Sequence, residues 1–156
     1  MGVIPDGVRI AVAHPHTPLG RLLVERFVGW HEVVGLGPVD PGLGAPVQIG
    51  SLSDSTALDR ALPGCQALLV ATGRLPDALR AAAHRHRVER LVLAAPDAEP
   101  NSAALTFRYA PEVPLGHVAA AVETALHTGH GHYQLDLDPT RSRRAREELG
   151  WWTPAA

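Results

Sequence analysis

The chain has 156 residues, 46% of them hydrophobic, which suits one domain with its own core, and a formal net charge of −2 that points away from nucleic acid and from an anionic membrane as partners. All 14 basic residues are arginine and none is lysine, so a catalytic amine, a Schiff base or a Tyr-Lys pair is excluded, because a guanidinium stays protonated. A single cysteine, Cys65, excludes an internal disulfide framework. No stretch approaches about 18 apolar residues and the opening MGVIPDGVRI lacks the blocks of a secretion signal, so a single cytoplasmic domain over residues 1–156 is expected.

In chain order, VRIAVA over residues 8–13 reads as a buried strand. Thr17 is placed to cap the next helix, Pro18 suits its first position, and Leu19, Leu22, Leu23, Arg26 and Phe27 carry its periodicity. EVVGL (32–36) is a second strand, 37–46 a Gly/Pro loop and 47–49 a brief strand. Ser53 or Asp54 caps a helix that Pro63-Gly64 stops after Leu62. ALLVA (67–71), RLVLAA (90–95), LTFRY (105–109) and residues 133–135 complete the strands. Helices are predicted from Pro76 to about 86, around 117–127 and over 139–149, the last stopped by Gly150. Strands that are continuous apolar runs alternating with helices predict an α/β domain: a doubly wound, Rossmann-like parallel sheet covered on both faces.

RIAVAHPHTPLGRLLVERF, HEVVGL, GSLSDSTALDRALPGCQALLVATG, VERLVLAA and the tail YQLDLDPTRSRRAREELGWWTP follow one another as the corresponding segments do in the extended short-chain dehydrogenase/reductases, the NAD-dependent epimerase/dehydratase type, which the chain resembles over nearly its whole length. The resemblance implies a nucleotide crevice after the first strand. It also locates what is missing. His14 and Thr17 stand at the first two glycine positions of the pyrophosphate turn and only Gly20, the helix-packing glycine, remains. Pro15 and Pro18 remove two N–H donors from that turn. Gly37 stands at the ribose-selecting position, with Asp40 three residues late, and Ser51 stands where the family has an adenine-contacting Asp. Ala95 occupies the catalytic serine region, and the nine residues before Leu105 leave no room for the helix bearing Tyr and Lys. The expectation is a truncated fold that lacks the Tyr-Lys helix, takes no nicotinamide cofactor and performs no hydride transfer.

Candidate site residues then fall at the carboxyl edge of the sheet. His14 and His16 follow the first strand and face a helix start, suited to acid–base work on an anionic ligand, with Asp97 after the fifth strand as a carboxylate partner. Drift after cofactor loss is the simpler reading of the two histidines. Thr17, Thr72, Arg74, Arg108 and Tyr109, with Gly73 and Glu99, would rim the same crevice, and Arg74 could hold a carboxylate or phosphate. His127, His130 and His132 lack a recognised metal spacing and read as a polar turn, so no metal is expected. His84 and His86 read as a solvated helix end. Arg141, Arg143, Arg144 and Arg146 read as a solvated face balanced by Glu147 and Glu148, not an RNA surface. Two functions follow: a cofactor-independent isomerase, cyclase or dehydratase acting on a small organic ligand, or a non-catalytic ligand-binding or partner-supporting subunit. Residual NAD(P) binding without turnover is a weaker third. A homodimer through the helix after Pro76 is also expected, because the deleted helix should leave apolar sheet exposed beside it.

Overall fold

A computed structural model describes residues 7–72, 74–101 and 104–151. The elements are β1 (Arg9–Ala13), α1 (Pro18–Phe27), β2 (Glu32–Gly37), β3 (Val47–Ile49), α2 (Ser55–Ala61), β4 (Cys65–Val70), α3 (Asp77–Arg85), β5 (Arg90–Ala95), β6 (Leu105–Tyr109), α4 (Leu115–Thr128), β7 (His132–Leu135) and α5 (Arg143–Leu149). Each strand pairs in parallel with its neighbours in the order β3-β2-β1-β4-β5-β6-β7. Alternate residues of each strand point to opposite faces. Ile10, Val12, Leu69, Val92 and Phe107 pack with Leu23, Phe27, Val118 and Val122 beneath α1 and α4. Ala11, Leu36, Leu68, Val70 and Leu93 pack with Leu58, Leu79 and Ala82 beneath α2 and α3. The predicted doubly wound sheet is present. Among the described residues no helix is long and apolar enough to cross a membrane.

The caps follow the side chains that can make them. Thr17 accepts from the Gly20 N–H at α1, and Asp54 accepts from Thr56 and Ala57 at α2. The helix predicted over 139–149 begins only at Arg143. The Asp136 carboxylate accepts from the Asp138 N–H at 2.8 Å, and the Asp138 carboxylate from the Thr140 N–H at 2.8 Å. These side chains offer the backbone turns in place of helix, and the helix waits until they are passed.

The link from β5 to β6 carries no helix, and β6 still lies parallel beside β5, with Val92 opposite Leu105 and Ala95 opposite Arg108. A nine-residue link (96–104) spans about 30 Å when extended, enough to return along a strand but not to form a crossover helix as well. The expected exposure of apolar sheet does not occur. Leu91, Leu93 and Ala95 are only 9%, 1% and 5% exposed, Ala98 of the link is fully buried, and Ala104 packs against the α2/α3 cluster. Beyond β5, the residues on that face become polar: Thr106 pairs in register with His132, and Arg108 with Gln134. Gly73 and residues 152–154 of the tail lie outside the described residues.

Candidate functional site

The chain leaves β1 through a tight turn, and His14 takes φ 57°, the left-handed conformation that glycine adopts freely. Three contacts hold it there. The His14 N–H donates to the Leu36 carbonyl at 2.8 Å, and its own carbonyl accepts from the Thr17 N–H at 3.2 Å and the Thr17 hydroxyl at 2.8 Å. The same hydroxyl accepts from the Gly20 N–H at 3.1 Å. A Cβ on Gly20 would lie 2.2 Å from the His14 carbonyl oxygen, so this position has no room for a side chain. The Pro15 ring fills the space over β2, 3.0 Å from where a Cβ on Gly35 would stand and 3.3 Å from one on Gly37.

The turn keeps few backbone donors for a dinucleotide's pyrophosphate. Pro15 and Pro18 have no N–H, and the N–H groups of Thr17, Gly20 and Arg21 are all bonded within the turn and the helix start. The Thr17 hydroxyl closes the turn, donating to the His14 carbonyl and accepting from the Gly20 N–H.

Beside the turn lies a cavity of about 460 Å3, bounded by His14, Pro38, Ser51, Leu52, Thr72 and Arg74 with Gly50 and Pro76. It sits at the carboxyl ends of β1, β2, β3 and β4, next to the point where the strand order reverses, and its size suits a small organic ligand. The His14 imidazole is held below its ordinary pKa by burial and then by the nearby His16, so it is neutral at pH 7. The His14 and His16 rings stand edge to face with centroids 5.5 Å apart, and the His16 Nδ1 is buried without a hydrogen-bond partner. The Thr72 hydroxyl donates to the Arg74 carbonyl at 2.8 Å and shapes the loop that presents the exposed Arg74 side chain.

The single rim expected at this edge divides in two. Asp97 is absent from the lining of the His14 cavity and lies near Tyr109, whose hydroxyl is pushed up by burial and then by that carboxylate. Arg108 and Tyr109 line a separate cavity of about 510 Å3 at the ends of β6 and β7. Among the described residues no ion pair joins Asp97 to His14 or His16. The three histidines of the last third also part company: His127 stacks on His31, the His130 carbonyl accepts from Arg144, and His132 meets Thr106 at 2.6 Å. Among the described residues no three His, Cys, Asp or Glu side chains gather to hold a metal ion. Pro38, Gly50, Leu52 and Pro76 were not singled out from the sequence. The available signal was their position at strand ends on the carboxyl edge.

No protein-family model matches the chain, and no curated protein matches it. Solved structures do. A nucleoside-diphosphate-sugar epimerase from Pseudomonas aeruginosa superposes with a TM-score of 0.71 at 13% identity, covering 96% of this chain and 93% of that one. The Bordetella bronchiseptica enzyme WbmH in complex with NAD+ gives 0.64 at 14% identity over 84% of this chain and 76% of that one. Uronate dehydrogenase from Agrobacterium tumefaciens gives 0.60 at 18% identity, covering 83% and 76%. At these identities the likeness establishes the fold alone, a Rossmann-like doubly wound sheet shared with these enzymes.

Proposed function

We propose that this is a non-redox, cofactor-independent protein that binds a small organic ligand in the former nucleotide crevice. The observation that carries the reading is the self-bonded His14–Gly20 turn, which occupies the pyrophosphate seat while the 460 Å3 cavity beside it stays open. Arg74 suits a carboxylate or phosphate of the ligand. His14, neutral at pH 7, suits a general base, with His16 beside it to receive or return the proton. Isomerisation, cyclisation and dehydration need only such proton movement. A cytoplasmic setting accords with the lone, buried Cys65 thiol. The lack of an ion pair between Asp97 and either histidine among the described residues favours a second reading, a binding module without turnover. A metabolite panel screened by thermal shift tests the site: a ligand that raises the melting temperature should lose its effect in Arg74→Ala and His14→Ala. Calorimetry with the four nicotinamide nucleotides should give no heat, and micromolar affinity for any one would overturn the reading.

A further inference from the structure

We propose that the 510 Å3 cavity at the carboxyl ends of β6 and β7 is a second binding site, suited to a small dipolar molecule of the amino-acid class that carries both a carboxylate and an ammonium group. The cavity opens where the sheet face lost its helix: Arg108 on β6 and Gln134 on β7 stand directly opposite in register, on the face that α2 and α3 leave uncovered. Cross-strand partners lie about 5 Å apart at Cβ, so a guanidinium and a carboxamide stand close enough to serve one carboxylate.

The lining carries both signs of charge, Arg108 and Arg141 against Glu112 and Asp136. Among the described residues neither Arg108 nor Glu112 has an ion-pair partner. They line one cavity yet do not pair with each other, so each is open to a ligand group of opposite sign. Arg141 approaches Asp136 only to 3.7 Å and Asp138 only to 4.0 Å, too long for hydrogen bonds, which leaves its N–H groups available as well. A simple anion would meet the two carboxylates and a simple cation the two guanidinium groups. A dipolar ligand satisfies both, with the Tyr109 ring bordering its side chain.

Calorimetry on the full chain with L-leucine, L-phenylalanine and L-glutamine, each beside its N-acetyl and its carboxamide derivative, tests this. At least one free amino acid should bind, and both of its blocked forms should bind about tenfold more weakly or worse. Arg108→Gln and Glu112→Gln should each weaken binding by a similar factor without moving the melting temperature of the unliganded protein, and Arg108→Lys should retain most of it. His14→Ala should change nothing here, which separates this site from the crevice beside β1. Binding by none of the three, equal binding of the blocked forms, indifference to Arg108→Gln, or loss in His14→Ala would each overturn the proposal.

Discussion

His14 combines a conformational cost with a chemical opportunity. A non-glycine residue in the left-handed region costs about 1–2 kcal/mol, and here three hydrogen bonds to the Leu36 carbonyl and Thr17 hold it in place. His14→Gly should therefore leave the protein as stable or about 0.5–1 kcal/mol more stable, as read by urea unfolding, while removing ligand binding in the crevice. Gly20→Ala should cost about 3 kcal/mol in the same assay, because its Cβ would meet a backbone carbonyl that cannot rotate away. The pKa shifts fix two pH trends. His14 and His132 are both lowered below 6.5, chiefly by burial, so their contribution is whole above that pH and is lost as pH falls and the unfolded chain takes up protons. Unfolding free energy should drop between pH 7.5 and 5.5, and less steeply in His14→Gly. Burial pushes the Cys65 thiol from 9.0 up to about 11, so the opposite sign applies: its contribution holds below pH 9 and fades as pH rises toward 11. The same burial should leave Cys65 unreactive toward iodoacetamide at pH 8 until the protein unfolds.

At the scale of elements, the tail of the fold rests on one arginine and one tryptophan. Arg144 of α5 donates to the carbonyls of His130 and His132 at 2.7 and 2.5 Å, pairs with Glu148 and lies over the Tyr133 ring at 4.4 Å. The Tyr133 hydroxyl in turn donates to Glu148 at 2.9 Å. A face that reads as solvation in the sequence thus anchors α5 to β7. Arg144→Ala should cost about 2 kcal/mol, whereas Arg143→Ala, whose partner Glu147 is exposed, should cost under about 0.5 kcal/mol. Trp151 is buried and donates its indole N–H to the His117 carbonyl at 2.8 Å, tying the chain after α5 to α4. Trp151→Ala should cost about 3–5 kcal/mol by thermal or urea unfolding.

For the whole molecule, the missing crossover helix did not leave an apolar wound. Ala104 of the link packs against the α2/α3 cluster that holds Leu91 and Leu93, and on β6 and β7 that face turns polar at Thr106, Arg108, His132 and Gln134. Exposed apolar sheet therefore offers a homodimer nothing, and the proposed dimer would use α3 itself. Its outward side carries Asp77 in the first turn, Ala81 midway and His84 in the last turn, beside an open groove of about 550 Å3 that reaches Val88 and Leu91. Two copies crossing antiparallel at Ala81 would set Asp77 against the partner subunit's His84, a self-complementary arrangement about a two-fold axis. Light scattering at high protein concentration should report a dimer that Ala81→Arg converts to monomer. A monomer in the parent protein would rule the arrangement out.

The order of strands and helices, the parallel sheet and the α1 and α2 caps were legible in the sequence, because aliphatic runs and capping side chains act locally. The site was legible only as a set of strand ends on one edge. Which of those ends share a cavity depends on lateral order and on what covers each face, and so the tertiary structure alone divided His14, Thr72 and Arg74 from Arg108 and Tyr109 and set Asp97 near Tyr109. It also revealed the left-handed His14, since its φ is set by the hydrogen bond to Leu36 on the neighbouring strand. The late start of α5 has a similar origin: two aspartates that look like ordinary polar residues in the chain hold their backbone in turns once β7 fixes where they begin.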